Sequence, residues 1–259
     1  MSSPRLRFAT FLAPSMRPLY EHVVAEVGRA LSVETSLHDG VAFEELDSGR
    51  ADAAFICGLP YVERADRLEA LAAPVLRGER FGGRPVYFSD VIVRRGSGLR
   101  SIADLRGRSW AFNGRESQSG YGITRYALLR AGATDGFFGD VRCVGSHAES
   151  IRRVAAGDVD GAAIDCHVLG VALRERPDLA ERIEVIDAFG PSTIQPMAGS
   201  RRLPESLRAE LREAIAAIRP SPAFERSGVE RFTAVVDSDY DDIRAMLAAC
   251  EEAGLPALR

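Results

Sequence analysis

Strand-like and helix-like runs alternate along nearly the whole of this 259-residue chain, and nothing else in it restricts the fold as strongly. Runs that switch between a period of two and a period of 3.6 bury their apolar faces best when helices cover a mostly parallel sheet, so the expected class is α/β. Leu6–Leu12 reads as the first strand and Pro18–Leu31 as an amphipathic helix with Val23, Val24 and Val27 inward. Phe43–Gly49 reads as a short helix, Ala51–Cys57 as a buried strand, and Gly58–Tyr61 as a loop leading into a helix from Val62. Val86–Val93 alternates apolar and polar residues as a long strand does. Beyond Gly98 the pattern restarts, with Ser101 capping a short helix to Leu105 and strands at Ser109–Phe112 and Asp140–Val144. A helix from Ala148 to Ala156 is stopped by Gly157, a strand follows at Gly161–Asp165, and Val168–Arg176 and Arg182–Asp187 add a helix and a strand. The last third reads as mainly helical, over Pro204–Ile218, Ala223–Gly228 and Tyr240–Gly254.

Between the strand Ser109–Phe112 and the next helix lies Asn113-Gly-Arg-Glu-Ser-Gln-Ser-Gly-Tyr-Gly, the stretch with the most chemistry in it. Ser117, Gln118, Ser119 and Gly120 stand where the strand gives way to a helix carrying Ile123, Tyr126 and Ala127, which Gly132 is placed to end. A helix start offers unpaired backbone N–H groups and a partial positive charge, here with two hydroxyls within reach, which suits an anion. The plainer reading is that one of the serines is only an N-cap.

Several chemistries are excluded by composition. Every basic residue is Arg and there is no Lys, which removes Schiff-base chemistry, a lysine-anchored pyridoxal phosphate and a P-loop. The net charge of −4 does not draw in nucleic acid or an anionic membrane. His22, His38, His147 and His167 are too scattered for a metal set, and Glu44-Glu45 and Asp241-Asp242 read as solvated faces. No nucleophile elbow or glycine-rich phosphate loop occurs, and no cofactor is expected. The four cysteines lack a zinc spacing; a single 57–166 or 143–166 bridge stays open at this level. No apolar run is long enough to insert in a membrane, and Phe8–Ala13 after Arg5 and Arg7 is too short for a signal segment.

Seven stretches, in order, resemble the phosphate/phosphonate substrate-binding proteins of ABC transporters. They are Gly58-Leu-Pro-Tyr61, Tyr87-Phe-Ser-Asp-Val-Ile-Val-Arg94, Asp104-Leu-Arg-Gly107, Ser117-Gln-Ser-Gly-Tyr121, Gly145-Ser-His147, Val154–Ala163 and Asp239-Tyr-Asp241. The resemblance implies a type II periplasmic-binding-protein fold of two α/β lobes with mixed, mostly parallel sheets and a ligand cleft between the lobes. Lobe I would comprise 1–87 and 188–259, and lobe II the inserted 88–187. It also implies a small oxyanion ligand held by Ser117, Ser119, Gly120 and His147, with Tyr61 and Tyr87 as cleft-lining aromatics. Gln118, in the same ligand-binding turn, departs from the family pattern, where Thr is frequent, and the N–H groups of Gly120 and Tyr121 are expected to point outward to the ligand.

Ser146-His-Ala-Glu149 also fits a capping box, which leaves His147 to face the ligand. Asp165 and His167 close a strand and are candidates to meet a cationic part of the ligand. The expected function is capture of a phosphate- or phosphonate-like anion, with an ABC permease complex as partner if the protein is exported. The location is then periplasmic after loss of a leader, and otherwise cytoplasmic. The competing expectation is a cytoplasmic enzyme or ligand sensor on the same fold acting on a small metabolite.

Overall fold

Eleven strands carry the chain: β1 Arg5–Thr10, β2 Glu34–Asp39, β3 Ala53–Phe55, β4 Leu68–Leu76, β5 Val86–Arg94, β6 Ser109–Phe112, β7 Asp140–Cys143, β8 Gly161–Asp165, β9 Ile183–Thr193, β10 Met197–Ser200 and β11 Val229–Ala234. The computed structural model describes residues 5–133, 136–255 and 257–258. They divide into two units, Met1–Val86 with Thr193–Asp241, and Tyr87–Ser192 with Asp242–Arg259.

The first unit holds a six-stranded sheet in the order β11-β4-β10-β3-β1-β2. β1 pairs in parallel with β2 and β3, whereas β10 runs antiparallel to β3 and β4, and β11 antiparallel to β4. The helix Arg17–Leu31 forms from the expected apolar stripe, with Val23, Val24 and Val27 buried and Tyr20 stacked on Phe55 at 4.1 Å. β2, β4, β10 and β11 were not apparent in the sequence. Leu68–Leu76 is a nearly unbroken apolar run rich in Ala, and all of it except Glu69 is buried. A strand covered on both faces loses the period of two that would mark it.

The second unit holds a five-stranded sheet, β7-β6-β8-β5-β9, in which β6 pairs in parallel with β7 and β8 while β5 and β8 run antiparallel. Both faces of the central strands β5, β6 and β8 are buried, and alternation along them separates two cores. Val91, Val93, Trp110, Phe112 and Ala163 join one core, whereas Ile92, Ala111, Ala162 and Ile164 join the other. The first core reaches the end of the chain through Met246 and Leu258, and Arg125 donates to the Leu255 carbonyl at 3.0 Å. This packing groups residues from Asp242 onward with the second unit, where the sequence expectation had run 188–259 as one piece with the first.

Two local expectations change. Gly58–Val62 is itself a helix rather than a loop before one. Glu45, expected on a solvated face, is buried. It accepts from the Val41 and Ala42 amides at 2.8 and 3.2 Å and lies 2.7 Å from His38 Nε2. The cysteines at 57, 143, 166 and 250 are free thiols. Among the described residues no helix is long and apolar enough to cross a membrane.

The Val41 amide foremost, with His38 and the Ala42 amide, holds the Glu45 carboxyl down from the usual 4.5 to about 2. A lowered carboxyl pKa stabilises the fold above the unfolded value and loses that contribution as pH falls through the folded one. Glu45→Gln should therefore lower the thermal midpoint at neutral pH, and the gap to the parent protein should close between about pH 4.5 and 2. Thermal unfolding followed by circular dichroism across that window checks it.

Candidate functional site

The segment after β6 makes an unusual helix start. Gly122 N donates to Ser117 O at 3.0 Å, an i→i+5 bond, so Gln118–Gly122 is a π-helical turn that continues as the α-helix Ile123–Arg130. Single π-turns of this kind recur at functional positions. Ser117 is the N-cap, its Oγ accepting from Gly120 N at 3.0 Å. The plain reading of Ser117 is thus correct, and it uses the Gly120 amide internally. Tyr121 N is likewise engaged by Ser117 O at 3.1 Å. These two amides, expected to point outward, are part of the turn's own bonding.

The second serine does something else. Ser119 Oγ lies 2.8 Å from His147 Nε2 and 3.2 Å from Ser117 Oγ, so three buried polar side chains share one hydrogen-bonded chain. His147 opens the helix His147–Ala156, which Ser146 caps by accepting from Glu149 N at 3.1 Å and Gly157 ends at a φ of 81°. The Glu149 carboxylate is taken by Arg152 and Arg153, each at 2.7 Å. Ser146 is therefore a cap and His147 is turned to Ser119. Burial lowers the imidazole pKa from 6.5 to about 4, so His147 is neutral near pH 7.

Sequence reasoning missed one member of this group. Asn113, the residue after β6, rests its side chain on Gly120: a Cβ at position 120 would lie 2.0 Å from Asn113 Oδ1. Only Gly permits that approach. Its signal was position, since it is the first residue past the strand and begins the chemistry-rich stretch.

The remaining candidates stand elsewhere. Gln118 is buried with its Nε2 3.3 Å from Met246 Sδ and its Oε1 where a Cβ on Gly122 would fall, so its amide is packed within the unit. Tyr121 packs at 5.1 Å from the Phe112 ring in the core. Asp165 caps the helix Cys166–Glu175, its Oδ1 accepting from His167 N at 2.8 Å and Val168 N at 3.4 Å; His167 is buried in that first turn. Tyr87 is buried on β5. Tyr61 belongs to the first unit, where its hydroxyl donates to Asp237 Oδ1 at 2.8 Å and accepts from Ala70 N at 3.2 Å, with its ring edge-on to Tyr240. Its first role is structural. Among the described residues no group of three or more His, Cys, Asp and Glu side chains is placed to hold a metal ion.

This arrangement of neutral hydroxyl, imidazole and helix-start groups can bind an oxyanion and contains no nucleophile–base–acid relay. A model of the phosphonate ABC transporter periplasmic substrate-binding protein family matches residues 11–240. A Pseudomonas aeruginosa binding protein of an ABC phosphonate transporter superposes with a TM-score of 0.84 at 16% identity, covering 98% of this chain and 88% of its own. A Prochlorococcus marinus protein solved with methylphosphonate gives 0.78 at 17% identity, covering 97% and 98%. A putative sulfonate-binding protein from Methylobacillus flagellatus gives 0.61 at 16% identity, covering 98% and 88%. All three share the two-lobed fold of this chain.

A histidine held neutral by burial costs stability in acid, because the unfolded chain gains a proton below about 6.5 while the folded one does so only near 4. The parent protein should lose stability as pH falls through that window. His147→Gln should flatten the loss, read from denaturant midpoints at a series of pH values.

Proposed function

The chain belongs to the periplasmic substrate-binding proteins of phosphonate ABC transporters, and from that premise we propose that its ligand is a small phosphorus oxyanion, phosphate or phosphonate-like, held by Ser117, Ser119 and His147. The family consists of solute-binding components of ABC uptake systems rather than enzymes. The observation that carries the ligand assignment is the buried Ser117–Ser119–His147 chain at a helix start, which concentrates neutral donors without a formal charge. Three phosphoryl oxygens suit such a cluster, and a relative of the same fold was solved with methylphosphonate. The partner is an ABC permease complex and the site of action the periplasm, both read from the family.

A thermal-shift screen tests this against phosphate, phosphite, sulfate, alkyl- and aminoalkylphosphonates, carboxylates and sugars. A ligand at about 100 times its Kd adds roughly 2.7 kcal/mol of stability, a shift of several degrees for a chain of this size. Shifts confined to phosphorus compounds support the assignment, and a shift only with an organic acid or sugar overturns it. Ser119→Ala should weaken binding by about 1–3 kcal/mol, as for loss of a buried polar contact. Unchanged affinity in a titration would remove Ser119 from the site.

A further inference from the structure

The cluster is unfinished in a specific way. Asn113 Oδ1 is buried against Gly120 with no hydrogen-bond partner, and His147 Nδ1 is buried without one as well, in a side chain only 7% exposed. A buried polar atom left in that state calls for an explanation, and a partner that arrives later is one. Asn113 Oδ1 is a carbonyl oxygen, so its missing partner is a donor. An oxyanion brings acceptors. It brings a donor only if it still carries a proton.

We propose that Asn113 makes this subsite selective for oxyanions bearing an acidic proton: the ligand's P–OH donates to Asn113 Oδ1 while its other oxygens accept from the Ser117–Ser119–His147 side chains. The inference rests on the oxyanion assignment above and sharpens it to a class, the monoanions of phosphonic, phosphorous and phosphoric acids. Sulfate and sulfonates are fully ionised near neutral pH and would set a lone pair against the Asn113 oxygen. A site built to receive a hydrogen bond rejects the analogue that lacks it far more strongly than an apolar pocket rejects a methylene.

The charge of the cluster points the same way. His147 is neutral at working pH, and its low pKa comes from burial with no charged neighbour contributing. In the turn itself Arg115 and Glu116 are exposed, and three charged side chains on the neighbouring elements are engaged elsewhere. Asp165 caps a helix, Glu149 holds Arg152 and Arg153, and Arg125 donates to Leu255 O. Neutral donors in a buried place compensate one negative charge more readily than two.

Calorimetric titration of the full chain with methylphosphonate and methanesulfonate tests this, because the pair match in shape and differ in the proton. Methylphosphonate should bind about 100-fold or more tightly than methanesulfonate. Its affinity should fall about tenfold per pH unit above the ligand's own second pKa, as linkage to one proton requires. With phosphite and phosphate the fall should move to their second pKa values. Asn113→Ala should narrow the discrimination, and Asn113→Asp, which keeps an acceptor in place, should retain it; thermal midpoints report whether each variant folds. If Asn113→Ala does not fold, the pH series on the parent protein decides. Affinity that ignores ligand ionisation, or comparable binding of methanesulfonate, overturns the role of Asn113 alone. No binding of any phosphorus oxyanion at any pH overturns the oxyanion assignment itself and this inference with it.

Discussion

The central strands of the second unit, β5, β6 and β8, are covered on both faces, so a polar side chain at a strand end there must find a partner inside the protein or keep a place for one that arrives later. At β8 the partner is internal: Asp165 accepts from the amides of the helix that follows it. At β6 the accounting does not close. Ser117 caps its helix and Ser119 meets His147, but Asn113 Oδ1 and His147 Nδ1 are left over. One helix start thus closes its own bonding, and the other leaves two buried polar atoms unpartnered.

The turn depends on close approach rather than on charge. Asn113 occupies the volume that a side chain at 120 would need, and the i→i+5 bond from Gly122 to Ser117 widens the first turn. Ser119 is thereby turned toward His147, at the start of a helix held in place by Ser146 and Gly157. Two helix starts from separate parts of the chain converge because β6 and β7, the strands that lead into them, pair in parallel.

The first unit spends its polar residues differently. Tyr61 ties Asp237 and the Ala70 amide together, and Glu45 closes the loop before its short helix while facing His38. These are structural closures whose donors and acceptors meet one another. β10, antiparallel between β3 and β4, joins the parallel and antiparallel halves of its sheet.

The alternation of periods determined the α/β class, and the amphipathic stripe of Arg17–Leu31, the cap at Ser101 and the stop at Gly157 were legible because they are local: each depends on residues within a turn or two. The order of motifs was enough to indicate the family, and position after a strand was enough to single out Ser117 to Gly120. Local pattern could not show β4, whose burial on both faces erases alternation, or that Glu45 is buried. Nor could it separate the fates of similar residues. Ser117 became a cap and Ser119 a partner of His147, Gln118 and Tyr121 turned into the interior, and the last helix joined the second unit through Met246. Most of those outcomes depend on contacts between residues far apart in the chain, and the placing of Asn113 against Gly120 depends on a turn geometry that no apolar periodicity encodes.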